Sequence, residues 1–376
     1  MKRMKKIVVA CDSFKGCLSS SEIAQTVAEA IHAMDAGIAV EAMPVADGGE
    51  GTVEALVAAN LEPVTWVSCT VDAPLRELQQ VEARYAINGT TAYMELAEAS
   101  GLTRVPAALR DVMRASTLGT GQMILDAVER GCTHIVMGLG GSATCDGGMG
   151  VLAALGAEFL DSLGHELDPC AQNVGKVFEI DCRGLRDDVL HTRITLVTDV
   201  TNPLCGPQGA ARVFAPQKGA TPLQVEELEQ SMLRFARLIG DSAGQPGAGA
   251  AGGVAAGMTA FLFNCHIVAG APFVLGQVRL ASRITGAALV ITGEGHIDHQ
   301  TALGKTPQAV AAIARQQGVP VVALCGAADA DVNAAALGFE RIIAVTPPHQ
   351  PLAEAMQPQV ARENIRHAIA QIFSTL

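Results

Sequence analysis

Carboxylates, lysines and hydroxyls recur in this chain inside short glycine-bounded segments, a mixture suited to holding anions and the cations that accompany them. The richest is Thr292-Gly-Glu294-Gly-His296-Ile-Asp298, which runs on to Gly304-Lys305-Thr306-Pro307. Thr306 and Pro307 read as the cap and first residue of a helix, so Lys305 stands at a positive helix end where free N–H groups attract anions. The segment is not a GxxxxGK[ST] loop, because its first glycine position holds His299. Glu294 and Asp298 read as acids that follow a parallel strand, a usual place for catalytic or Mg²⁺-binding carboxylates. A surface turn ahead of a capped helix is the plain alternative. His296 and His299 lack an HExxH frame or thiolate partners, so a solvated loop explains them more simply than a metal pair.

Five further segments have the same character. Asp12-Ser13-Phe14-Lys15 and Asp47-Gly48-Gly49-Glu50-Gly51-Thr52 each follow a short apolar run, and the glycines of the second let backbone N–H groups approach a ligand. Asp199 leaves another apolar run and enters the turn Asn202-Pro203, while Lys218 is a lone cation just before a helix capped by Thr221 with Pro222 at its first position. Gly138-Leu-Gly140-Gly141-Ser142-Ala143 follows a run as well. Its continuation, Thr144-Cys-Asp146-Gly-Gly-Met-Gly150, is longer than a tight pyrophosphate turn. A phosphate-binding loop, a dinucleotide site and a purely structural glycine loop all remain open there. Glu95 and Glu98 read equally as caps or as site acids, and the GxGxxG match at Gly247 to Gly252 follows no strand, so chance explains it.

The elements that must position these residues can be read from periodicity. Strands are expected at Ile7–Ala10, Ala39–Met43, Ala288–Thr292, Val319–Leu324 and, more weakly, Ile342–Val345, with helices between them. Ser19 and Glu22 form a capping box for a helix with Ile23, Val27, Ala30, Ile31 and Met34 on one face. The last helix presents Ile365, Ala368, Ile369, Ile372 and Phe373. The middle reads as closely spaced strands at Val64–Cys69, Leu78–Ile87 and Thr91–Leu96 with an Asn88-Gly89 hairpin, then His134–Met137 and Ile194–Val197. The expected fold is therefore two-domain α/β. A discontinuous Rossmann- or flavodoxin-like parallel-sheet domain spans 1–65 and 286–376, and a mixed α/β domain spanning 66–285 is inserted in it.

Composition narrows the partners. Lys+Arg 26 against Asp+Glu 38 gives a net charge of −12, and Lys2, Arg3, Lys5 and Lys6 fall in a basic tail, so neither nucleic acid nor an anionic membrane is expected. Any anionic ligand must meet a few local cations. Phe 10, Tyr 2 and Trp 1 leave little stacking surface, and the ten cysteines form no CxxC, which suits buried thiols in a reducing cytoplasm. Ser242 to Val278 carries no charged residue, but glycine, Pro246 and Pro272 interrupt it too often for a membrane span.

Taken together, these segments resemble the bacterial glycerate kinase type 1 family. The matching blocks are Asp12 to Lys15, Val45 to Thr52, Glu95 to Leu102, Gly138 to Gly148, Asp199 to Leu204, Pro216 to Gly219, Pro246 to Gly253 and Thr292 to Lys305. Cys11, Cys145 and His296 depart from the proline, polar residue and arginine usual there, and the loss of an arginine fork matters most for binding an anion. The resemblance implies ATP-dependent phosphorylation of D-glycerate, most often to 2-phosphoglycerate, in the catabolism of glycolate, glucarate or related carbon sources. It also implies two α/β domains with the active site in a cleft between them, and it leaves room for a homodimer.

On that resemblance Asp199 is expected as base or orienter for the glycerate hydroxyl, with Lys15, Lys218 and Lys305 balancing carboxylate and phosphate charge. Asp47, Glu294 or Asp298 would hold Mg²⁺. Asp12, Ser13, Gly48, Gly49, Gly140, Gly141, Ser142 and Asn202 would line the substrate and phosphate sites. A dehydrogenase using Gly138 to Ala143 for NAD(P), and a ligand sensor that consumes no ATP, are the rival classes.

Overall fold

The structure, a computed structural model, describes residues 6–60, 63–298, 301 and 304–374. Lys2, Arg3, Lys5 and His299 lie outside them. In chain order the strands are β1 (Lys6–Cys11), β2 (Ala39–Ala42), β3 (Thr65–Asp72), β4 (Gln80–Asn88), β5 (Thr91–Glu95), β6 (His134–Gly138) and β7 (Glu158–Leu160). They continue as β8 (Glu179–Asp181), β9 (Arg193–Thr198), β10 (Cys265–Ala269), β11 (Leu289–Ile297), β12 (Val321–Ala328) and β13 (Arg341–Ala344).

The chain forms two compact units, Met1–Leu61 with Gly270–Leu376, and Glu62–Ala269. The first holds a five-stranded, all-parallel sheet in the order β13-β12-β11-β1-β2. β1 is buried along Ile7 to Cys11, as a continuous apolar run in a covered parallel sheet should be. Ser19 caps the helix Ser20–Met34 with a complete capping box to Glu22, and Ile23, Val27 and Ile31 pack into one core with Ile365, Ala368, Ile369 and Ile372 of the last helix.

The expected boundary at 286 falls inside this first unit, which takes in the chain from Gly270 onward. The physical reason is at Gly270 itself. A Cβ there would sit 1.6 Å from the Asp47 carbonyl oxygen, so only glycine lets the start of helix Gly270–Gln277 press against the loop after β2.

The second unit holds a six-stranded mixed sheet, β10-β9-β6-β5-β4-β3, and the small antiparallel pair β7-β8. β3, β4 and β5 pair antiparallel, and β5, β6, β9 and β10 run parallel. The hairpin turn is Gly89-Thr90 between the paired Asn88 and Thr91, one residue later than the Asn-Gly signal places it. β7, β8 and β10 have no counterpart among the expected strands. The charge-free tract becomes a glycine-kinked helix, Ala250–Phe261, then β10, then the helix Gly270–Gln277. No described helix is long and apolar enough to cross a membrane.

Candidate active site

In the first unit the chain leaves β1 toward β2 on one side, whereas β11 leads to β12 and β13 on the other. Strand order reverses between β1 and β11, and in open parallel sheets the ligand crevice opens outside the strand ends at that point. Cys11 is registered with Gly293, and the Asp12 N–H donates to the Gly293 carbonyl (2.8 Å). Asp12 and Glu294 are thereby set side by side at the crevice. β11 runs on to Ile297, still paired with β12 through Ile297 and Ala328, so Glu294 and His296 lie on the strand, not beyond it as the sequence reading had them. Gly293 permits the extension, since a Cβ there would meet the Leu324 carbonyl at 2.1 Å.

A cavity of about 420 Å³ opens there, lined by Asp12, Ser13, Lys15, Asp47, Glu294, Asp298 and Lys305 among others. These residues come from three separate loops of the sequence reading, and the fold brings them together. The Asp12 carboxylate accepts from the Ser13 N–H (2.7 Å) and from the Thr306 hydroxyl (2.8 Å). Burial first, and the nearby Asp47 charge second, raise its pKa against the pull of those hydrogen bonds. Asp47 accepts from the Gly49 N–H (3.0 Å) and faces the Lys15 ammonium at 3.8 Å. Glu294 accepts from the Thr301 hydroxyl (2.7 Å), lies 3.6 Å from the Lys305 ammonium, and is held by burial above the usual carboxylate range. Asp298 exchanges two hydrogen bonds with Thr301. Ser13 is 5% exposed, and its hydroxyl has no hydrogen-bond partner among the described residues.

Thr306 is a hydrogen-bond partner of Asp12 that sequence reasoning placed in a different role. Its hydroxyl is turned to Asp12, and Lys305 takes the N-cap position of helix Thr306–Gln316. His296 hydrogen-bonds Asp329 (2.9 Å) on the surface. Oxygen donors in this number suit a hard cation such as Mg²⁺, and the mutual repulsion of buried Asp12 and Asp47 favours one. Among the described residues no three acids, histidines or cysteines stand together as a ready-made metal site. A cation here would need phosphate oxygens or water as its remaining ligands.

The second unit treats its polar loop differently. Between β6 and helix Met149–Ala154, Gly141 adopts φ +73, its carbonyl accepts from the Leu102 N–H (2.8 Å), and the Ala143 N–H donates to the Ser100 carbonyl (2.9 Å). Gly140 sits on the same turn. Lys218, only 3% exposed, donates to the Ser142 hydroxyl and the Thr144 carbonyl, both at 2.7 Å, and burial pulls its pKa down. Asp146 accepts four hydrogen bonds, from the Thr117 N–H and hydroxyl and from the Gly148 and Gly150 N–H groups. Asn202 donates to the Gln208 carbonyl and accepts at its own carbonyl from Gly249 (2.9 Å), a turn-holding role. Asp199 is exposed at the end of β9. Glu98 accepts from Arg104 (2.8 Å), and Glu95 is the N-cap residue of helix Leu96–Ser100 with no side-chain cap bond.

A parallel sheet whose switch point carries paired carboxylates, flanking lysines and a helix N-terminus defines an α/β protein with a crevice suited to an anionic ligand. Residues 7–376 match the profile of the glycerate kinase family. A glycerate 2-kinase of Escherichia coli (strain K12) is 40% identical, with 99% of this chain and 98% of that protein covered. A glycerate kinase of Bacillus cereus (strain ATCC 10987 / NRS 248) is 38% identical over 96% and 95% of the two chains. A solved chain from Salmonella typhimurium LT2, provisionally named glycerate kinase 2, superposes with a TM-score of 0.82 at 37% identity over 99% of this chain and 98% of its own. The chain belongs to the glycerate kinase family, enzymes that phosphorylate glycerate, and the family implies ATP as the phosphoryl donor. The dehydrogenase and sensor readings end there.

Proposed function

We propose that this enzyme transfers the γ-phosphoryl group of Mg·ATP to the 2-hydroxyl of D-glycerate, giving 2-phospho-D-glycerate and ADP. In the transfer the glycerate oxygen forms a bond to the γ-phosphorus and the bond to the β,γ-bridging oxygen breaks. The hydroxyl proton passes to the exposed carboxylate of Asp199. The observation that carries the reading is the crevice at β1 and β11, where Asp12, Asp47 and Glu294 meet Lys15 and Lys305. Transfer through a loose transition state asks the protein for alignment and charge rather than covalent chemistry. Mg²⁺, when bound, neutralises developing phosphate charge, and Asp47, Glu294 and Asp298 are its proposed protein ligands. The name of the Escherichia coli relative supports the 2-phospho product.

Lys15 and Lys305 stand at the cavity, suited to balance phosphate and carboxylate charge. Asp12, Ser13, Gly48 and Gly49 complete that end. In the second unit Gly140, Gly141, Ser142 and Asn202 are assigned to the acid substrate. Lys218 serves them from behind, holding the Ser142 loop in shape. A cytoplasmic setting fits the ten free cysteines.

The test is ADP release from D-glycerate, L-glycerate, glycolate and tartronate in a coupled assay, with the product identified by NMR. D-glycerate should release ADP and yield the 2-phosphate; no ADP from any of the four rejects the reading. Asp199→Asn should lower kcat by about 10²-fold or more, and an unchanged kcat removes Asp199 as base.

A further inference from the structure

The cavity at the first sheet has two chemically different ends. Its polar end is the carboxylate and lysine cluster at the β1 and β11 tips. Its other end is walled by Phe14, Val345, Leu352, Ala355, Met356 and Ala361, from the β1 loop, the segment after β13 and the last two helices. Glycerate has three carbons, a carboxylate and two hydroxyls, and so has no apolar face to lay against such a wall. The wall nonetheless exposes Leu352 (71%) and Met356 (38%), large apolar side chains beside an anion site. Met356 also reaches over the β1 loop, its Cε 3.5 Å from where a Cβ on Gly16 would lie, so wall and polar loop are packed as one construction.

We infer that this wall is the base-binding half of a nucleotide site, so that a purine nucleoside di- or triphosphate lies along the cavity with its phosphates at the Ser13 and Lys305 end. The inference rests on the kinase reading above and deepens it, assigning the nucleotide to the first unit. Three observations converge. The cavity volume of about 420 Å³ lies in the range of small-molecule and cofactor pockets. A flat, uncharged base suits an aliphatic wall, and the phosphates suit the opposite end. The buried, unpartnered Ser13 hydroxyl lines that end as a donor awaiting an acceptor. The helix Thr306–Gln316 begins at the same place with Lys305 as its N-cap.

The experiment places a charge on the wall. In the full chain, Leu352→Glu and Met356→Glu are compared with wild type by titration of a fluorescent N-methylanthraniloyl ADP, and by KM for ATP and for D-glycerate. Both positions are partly exposed, so folding is preserved, and matched thermal melts check it. About a tenfold weakening of nucleotide binding and a tenfold rise in KM for ATP are expected, with KM for glycerate within twofold and Met356→Leu restoring binding. Unchanged nucleotide binding, or a rise confined to KM for glycerate, overturns the inference. If wild type binds the nucleotide tightly but phosphorylates no glycerate, the kinase reading fails and the nucleotide site stands. If wild type turns over and the variants bind as it does, the nucleotide site alone fails.

Discussion

The two units carry polar loops built from the same ingredients, a lysine, an aspartate, hydroxyls and glycines, and use them in opposite ways. At the first sheet the lysines stand 3.6 and 3.8 Å from their carboxylates, Ser13 keeps an unpartnered hydroxyl, and a cavity remains. In the Gly138 to Gly150 loop, Lys218 makes two hydrogen bonds of 2.7 Å, Asp146 accepts four, and the crevice beside Lys218 has no room for a water molecule. Loosely matched charges around a space can exchange partners for a ligand. Closely matched charges in a filled interior are occupied in holding the chain. Residue type alone does not separate these cases; the space left beside the charged groups does.

That contrast can be broken by substitution. Asp12→Asn should give the largest effect on activity, a fall in kcat of about 10² to 10³-fold with a thermal melt close to wild type, measured by ADP release. Asp146→Asn should do the reverse. Its new amide would face N–H donors, so unfolding should become easier by about 2 to 4 kcal/mol, read from denaturant titration as a lower midpoint. If Asp146→Asn left stability intact and abolished turnover, Asp146 would have to be counted with the substrate residues of its loop and not as the scaffold that holds them.

Smaller effects sharpen the comparison. Thr306→Ala removes one hydrogen bond to Asp12 and should lower kcat by about tenfold, with little change in KM for glycerate and recovery in Thr306→Ser. The smallest effect is expected at His134, at the far end of β6 from the loop. Burial, then the charges of Arg193 and His266, hold its pKa down from the ordinary 6.5 to about 4. Between those values the unfolded chain binds the proton and the folded one does not, so stability should decline as pH falls from 6.5 toward 4. Melts of His134→Gln across that range should show a shallower decline than wild type.

Much of this arrangement could be read from residues alone. The buried strands β1, β11 and β12 announce themselves as short aliphatic runs, and the capping box at Ser19 and the cap at Thr221 form as read. The loops after β1, β2 and β11 were legible because polar residues at the ends of parallel strands have few structural reasons to be there. β10 was not, since Cys265 to Ala269 lies in a tract whose flanking helices are equally apolar and uncharged. The tie between Thr306 and Asp12 spans 294 positions, and no local pattern encodes it. Lys218 read as a charge offered to a ligand because burial depends on what folds over it, here the Ser142 loop.

The order of the first sheet has a consequence for how the protein is made. β1 and β2 come from the beginning of the chain, but β1 acquires its other neighbour only when β11, beginning at Leu289, has been synthesised. At a ribosomal rate of about 5 to 20 residues per second, that wait is roughly 12 to 50 s. Through it the second unit can complete its own core while Ile7, Val8 and Val9 present an unpaired aliphatic edge. That interval is when the nascent chain is most exposed to wrong pairing, and when a chaperone that covers strand edges would raise the yield of active enzyme most.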